Sequence, residues 1–183
     1  MPAPASRRAR AASIAWHGGA GRYLPPMGLA PENVQDYPRP PALEPAGARL
    51  RVMLGGAFVA DTRRGLRVLE THHAPTYYIP PQDVAPGALT PCAGRSLCEW
   101  KGRAAYFDVT AGGQLARKAA WTYPAPTARF APLAGFVAFY AGQMEACWVG
   151  DEQVIPQPGD FYGGWVTANL AGIVKGGPGT WGW

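Results

Sequence analysis

Hydrophobic and polar residues alternate with a period of two along several short stretches of the chain, the pattern of strands that bury one face. Leu50, Val52 and Leu54 alternate with Arg49, Arg51 and Met53, which predicts a half-buried strand beginning near Arg49. Gly55-Gly56 is a hairpin turn signal, and Ala57–Ala60 is the returning strand. A polar turn over 61–65 leads to a strand over Leu66–Thr71 that carries Glu70 near its end. Thr76–Ile79 predicts another, closed by Pro80-Pro81, and 82–94 reads as a loop with a short turn at Asp83.

A central hairpin is predicted over Ser96–Val109. Gly102-Arg103 suits a two-residue type II′ loop, because glycine accepts a positive φ at the first position. That register sets Lys101 against Ala104, Trp100 against Ala105, Glu99 against Tyr106 and Cys98 against Phe107. Cys98 and Trp100 would then share one face, and Glu99 and Lys101 the other. Beyond Gly112-Gly113 a strand is expected at Ala119–Tyr123, stopped by Pro124 and Pro126. Phe136–Tyr140 is the most apolar strand and the candidate for the centre of the fold. Met144–Val149 is expected to pair with it, followed by a turn at Gly150-Asp151 and a strand over Gln153–Ile155. From Pro156 the chain is rich in glycine, ends in Trp181-Gly182-Trp183, and reads as a packed or frayed tail.

Composition sharpens this into an all-β expectation. The 20 prolines and 24 glycines among 183 residues leave little room for long helices, since proline removes a donor and glycine loses entropy there. The length suits one domain. The net charge of +5 suggests a nucleic-acid partner until it is located. Residues 1–31 hold four arginines (Arg7, Arg8, Arg10 and Arg22) and no acid, while the other 13 basic residues face 12 acidic ones. The excess belongs to a tail, so the total gives no reason to expect a nucleic-acid-binding face.

Three cysteines with no C-x2-C spacing argue against a structural zinc site and against a disulfide framework. No apolar run approaches 18 residues, so no membrane span is expected. Ser6-Arg7-Arg8 lacks the apolar segment of a twin-arginine signal, which leaves the cytoplasm as the default compartment. Residues 1–34 read as a disordered or loosely attached extension, and 35–183 as the domain. Tyr37-Pro38-Arg39-Pro40-Pro41 must be extended, because each proline biases its predecessor away from helix.

A set of ordered blocks adds a resemblance. They include Tyr37-Pro38-Arg39-Pro40-Pro41, Ala60-Asp61-Thr62, Leu69-Glu70-Thr71 and Pro75–Pro81, then Cys98-Glu99-Trp100-Lys101-Gly102 and Ala120-Trp121-Thr122-Tyr123-Pro124. Pro132–Tyr140 and the ending Lys175–Trp183 complete the set. In this order the chain resembles the DUF427 domain family over residues 35–183. The resemblance implies a compact, tent-like all-β domain of antiparallel hairpins with a hydrophobic pocket and no zinc. Members are often labelled nucleotidyltransferases, although no D-x-D pair or phosphate-binding element supports that chemistry here.

Candidate chemistry centres on 98–101. Glu99 and Lys101 could form an acid–base pair, with Lys101 holding an anion, or a plain exposed ion pair. Cys98 could be a nucleophile or a core thiol, and Glu70 a catalytic carboxylate or half of a structural ion pair. Trp100 and Trp121 are candidate pocket walls or core, and one of Tyr77 and Tyr78 should be core while the other, taken as Tyr78, places its hydroxyl in a cleft. Asp61 is a ligand candidate or a turn cap. His72-His73 would hold a metal only with a third ligand. The expectation is a monomer that binds an unidentified small, partly apolar molecule, with no cofactor, no metal, and neither nucleic acid nor membrane as partner. An enzyme, such as a nucleotidyltransferase, or a non-catalytic interaction module are the alternatives.

Overall fold

In the computed structural model, which describes residues 28–159 and 161–180, the alternation read from the sequence becomes two stacked strand arrays. The calls on the basic arginines at 7–22 and on Trp181-Gly182-Trp183 lie outside the described residues. The strands are β1 (Glu32–Asn33), β2 (Ala42–Pro45), β3 (Leu50–Leu54), β4 (Ala57–Thr62) and β5 (Leu66–Leu69). Next come β6 (Thr76–Tyr78), β7 (Leu89–Cys98), β8 (Gly102–Ala111), β9 (Gln114–Thr122) and β10 (Val137–Phe139). Five short ones follow: β11 (Ala146–Val149), β12 (Glu152–Gln153), β13 (Ile155–Pro156), β14 (Trp165–Val166) and β15 (Leu170–Ala171). Among the described residues the helical turns are all 3-10, and two of them, joined across a kink at Phe130, span Ala128–Leu133. No helix among the described residues is long and apolar enough to cross a membrane.

One sheet has the order β12-β11-β3-β4 and another the order β10-β9-β8-β7. A third, β2-β5-β6, joins the second where Ile79 and Val137 exchange both backbone hydrogen bonds at 2.8 Å. The result is a seven-stranded antiparallel array with β10 in the middle. All three residues of β10 are buried, as its apolar sequence suggests.

Alternation along the middle strands divides the interior in two. Tyr77, Ile79, Val137 and Phe139 face the four-stranded sheet and meet Leu50, Val52, Cys147 and Val149 in the main core. Tyr78, Ala138 and Trp121 point the other way, into a second cluster with Val68, Tyr123 and Phe130. That second face is where the cavity forms.

Four expectations are corrected. The central hairpin pairs Cys98 with Gly102 and Leu97 with Arg103, so Glu99-Trp100-Lys101 is itself the turn and Cys98 does not oppose Phe107. Gly102 does take a positive φ, of 95°, but at the end of a three-residue loop. Thr127 fixes that loop from outside: its hydroxyl donates to the Trp100 carbonyl at 2.6 Å and its N–H to the Lys101 carbonyl at 3.2 Å. Second, the latter part of the expected loop over 82–94, from Leu89 onward, is the start of β7. Pro91 is tolerated because β7 is an edge strand. Gly94, with a φ of 117°, sits at the bulge between Cys92 and Arg95.

Third, β10 pairs with β9, not with 144–149. Ala141–Gln143 is a 3-10 turn that carries the chain to the other sheet, where β11 pairs with β3. Fourth, the order begins before residue 35: Glu32–Asn33 pairs with Leu170–Ala171, and Val34 is fully buried. The glycine-rich segment after Pro156 packs, because Trp165 is 1% exposed in the main core.

Candidate functional site

The second face holds a cavity of about 180 Å³. Its floor comes from β5, β8 and β9, through Val68, Ala104, Tyr106 and Trp121. Ala104 is small where it meets the space, and Gly163 lies so close to the Trp121 ring that a Cβ there would overlap it. The rings of Trp121 and Tyr140 form one wall, 4.4 Å apart between centroids. The turn after β7 brings Cys98 and Lys101 to the rim. Glu70 and His73 enter from the β5–β6 connection, and Gln157, Phe161, Tyr162 and Gly163 close the far side.

Lys101 is the main charge of this site. It is 9% exposed, with its ammonium 5.9 Å from the Tyr123 ring and 6.0 Å from the Phe130 ring. Among the described residues no carboxylate lies within ion-pair distance of it. Cation–π contacts at such distances are worth about 0.5–2 kcal/mol, which leaves the charge without a full counter-ion.

Glu70 is the one carboxylate in the lining among the described residues, with 15% of its side chain exposed, and Arg39 lies 3.9 Å away. Glu99 instead faces outward and pairs with Arg39 at 3.0 Å. Because 99–101 form a turn, Glu99 and Lys101 do not share a face and do not form the acid–base pair that the strand register implies. Trp100 packs against the second cluster under Arg39, whose guanidinium lies 5.9 Å from its ring, and it does not line the cavity. Tyr78 is fully buried behind the wall, 6.4 Å from both Trp121 and Tyr123, so its hydroxyl does not reach the cleft. Asp61 sits on β4, held by Arg49 at 2.7 Å, away from the cavity.

The sequence reading missed the far wall and the phenols. Gln157, 2% exposed, accepts from the Ala74 N–H at 3.2 Å and donates to the Lys175 carbonyl at 2.9 Å. Its amide nitrogen also lies 3.4 Å from His73 Nδ1. Burial pushes the Tyr123 hydroxyl far above the usual phenol range, with the nearby Cys98 thiol adding to it, and pushes Tyr140 up to about 12. These phenols stay protonated, so they can donate to a ligand. Tyr106 and Ser96 hydroxyls are already bonded at 2.7 Å. Tyr123 and Tyr140 lie in blocks that carry the DUF427 resemblance, yet nothing in those blocks marks them as cavity residues, and Gln157 and Tyr162 lie in no such block.

His73 has its pKa lowered to about 4, first by burial and then by the positive charges of Lys175, Lys101 and Arg39. The unfolded imidazole, near 6.5, binds protons that the folded one refuses, so stability is full above about pH 6.5 and is lost as the pH falls towards 4. The shift corresponds to about 3 kcal/mol, and partial contact with water reduces the expected loss to about 2 kcal/mol. Urea unfolding at several pH values is expected to show that decline in the native chain and a flatter profile in His73→Gln. Parallel profiles would remove the assignment.

A protein-family model described as a domain of unknown function, DUF427, matches residues 42–150, well over half of the chain. The chain belongs to the DUF427 family. No curated protein matches it. The DUF427 match is narrower than the 35–183 suggested by the sequence blocks. It runs from β2 to the turn after β11 and contains Glu70, His73, Cys98, Lys101 and Trp121. Gln157, Phe161, Tyr162 and Gly163 lie beyond the DUF427 segment. Among the described residues no group of three or more His, Cys, Asp or Glu side chains is arranged to hold a metal ion.

Proposed function

We propose that this DUF427 domain binds a small, partly apolar molecule in the cavity beside the Cys98–Lys101 turn. The observation that carries the reading is Lys101, 9% exposed and without a carboxylate partner among the described residues, on the rim of an aromatic-lined hollow. Apolar walls with a few convergent polar groups are the usual form of a ligand site. Glu70, Lys101 and Trp121 are the contacts taken from the sequence that line it, and His73 and Gln157 are added to them.

The nucleotidyltransferase label of the family model has weaker support. Such transfer uses carboxylates grouped around Mg²⁺, and among the described residues Glu70 is the one carboxylate that lines the cavity. Nucleoside triphosphates with Mg²⁺ are expected to release no pyrophosphate in the presence of the protein; sustained release would revive the enzyme reading.

The binding reading is tested by thermal shift against a metabolite library. A ligand at 100 times its Kd stabilises by about 2.7 kcal/mol, or roughly 5–10 °C for a chain of this size. Ala104→Leu, which fills the floor, is expected to abolish the shift. If hits stabilise the filled variant as strongly as the native chain, the cavity is not their site.

A further inference from the structure

The chemistry of the lining narrows the ligand class. This step rests on the cavity being a binding site, and it concerns what the site selects. The charges facing the cavity are unequal. Lys101 has no carboxylate within ion-pair distance among the described residues, whereas Glu70 has Arg39 beside it. His73 is held neutral first by burial, with the positive charges of Lys175, Lys101 and Arg39 acting in the same direction. A lysine largely covered by its neighbours and lacking a counter-ion gains from a ligand that supplies one.

Size and shape add two limits. The hollow of about 180 Å³ lies below the roughly 300–1,000 Å³ of sites for drug-sized ligands, which suits a single ring better than a nucleotide. The wall is aromatic: Trp121 and Tyr140 on one side, and Tyr162, edge-on to His73 at 4.7 Å between centroids, on the other. Flat rings pack favourably against such surfaces, offset or edge-to-face. Leu97 and Phe161, each 77% exposed, flank the mouth and extend the apolar surface outward.

The anionic group is also limited. Lys is a point charge without the planar fork that grips a phosphate, and among the described residues no arginine lines the cavity. The Glu70 carboxylate in the same lining would repel a dianion more than a monoanion. We infer that the site selects a small aromatic carboxylate, whose carboxylate meets the Lys101 ammonium while its ring packs against Trp121 and Tyr140.

The test uses the full chain and three single-ring probes, benzoate, benzamide and phenyl phosphate, followed by amide NMR shifts. Benzoate is expected to bind at least tenfold more tightly than benzamide and more tightly than phenyl phosphate. Lys101→Met should remove the preference for benzoate, while Lys101→Arg should retain it. If Lys101→Met fails to fold, the three-probe comparison on the native chain decides alone. Benzamide binding as tightly as benzoate would overturn the selection of an anion and leave the cavity reading intact. Phenyl phosphate binding best would overturn the carboxylate. If no probe moves the cavity amides, the aromatic-carboxylate assignment falls, and the library screen with Ala104→Leu then judges the cavity separately.

Discussion

Trp165→Ala is expected to lower the unfolding free energy by about 3–5 kcal/mol, the range for deleting a buried large aromatic side chain. The indole is 1% exposed, packs against Tyr77 at 5.3 Å between centroids, and donates from Nε1 to the Phe139 carbonyl at 3.0 Å. Its own backbone N–H bonds to the Pro75 carbonyl at 2.9 Å, which ties the late segment to the β5–β6 connection. Against a typical total stability of about 5–15 kcal/mol, the loss would leave a marginal fold. Trp165→Phe keeps most of the packing and leaves the Phe139 carbonyl without its donor, at a cost of about 1–3 kcal/mol. Urea unfolding of the three chains checks the order. The binding proposed for the cavity should also weaken in Trp165→Ala, because Tyr162 and Gly163 lie just before it, separated from it only by Gly164. Equal stability of native and alanine chains would mean that the late segment does not contribute to the core.

The second large effect concerns two glycines far apart in sequence. Gly55 and Gly112 head the β3–β4 and β8–β9 hairpins, and the two turns lie backbone to backbone across the stacked arrays. A Cβ on Gly55 would sit 2.7 Å from the carbonyl oxygens of both Ala111 and Gly112, and one on Gly112 would overlap the Gly55 carbonyl. Gly112 also has a φ of 54°. Gly112→Ala is therefore expected to cost roughly 3–5 kcal/mol, combining about 1–2 for the left-handed backbone with overpacking against a carbonyl that cannot turn aside. Gly113→Ala is the matched control. Its φ is 75°, yet nothing lies within 4 Å of an added Cβ, so only the backbone cost of about 1–2 kcal/mol applies. Similar denaturation midpoints for the two variants would show that the close approach is unimportant.

Strands with one face in the main core were legible, because burial and period coincide there. Leu50, Val52 and Leu54 are buried as alternation requires, and the Gly55-Gly56 turn follows. The central hairpin was not, since a glycine with positive φ suits either the first position of a two-residue loop or the end of a three-residue one. Thr127, some 25 residues away, decides between them, and local sequence carries no trace of that contact. The pairing of β11 was missed for a related reason: adjacency in sequence favoured β10, whereas the apolar face of β3 offered the better partner.

The site was legible in part. Glu70, Cys98, Lys101 and Trp121 converge on the cavity, while Asp61, Tyr78, Glu99 and Trp100 lie elsewhere. The turn geometry separates Glu99 from Lys101, which the assumed strand had placed together. Gln157 and Tyr162 went unnoticed because glycine-rich composition suggests loose chain, and composition does not report that one tryptophan anchors the segment.

The cavity is assembled from two sources. Lys101, His73 and Trp121 belong to the segment that defines the family, but the opposing wall comes from residues after 150. The two halves can therefore be exchanged like the parts of a mould. Under the proposed binding reading, a chimera that keeps residues 28–150 and takes its later segment from another family member should retain the Lys101 contact while changing the size of molecule that the cavity admits. Relatives that share this domain need not share a ligand.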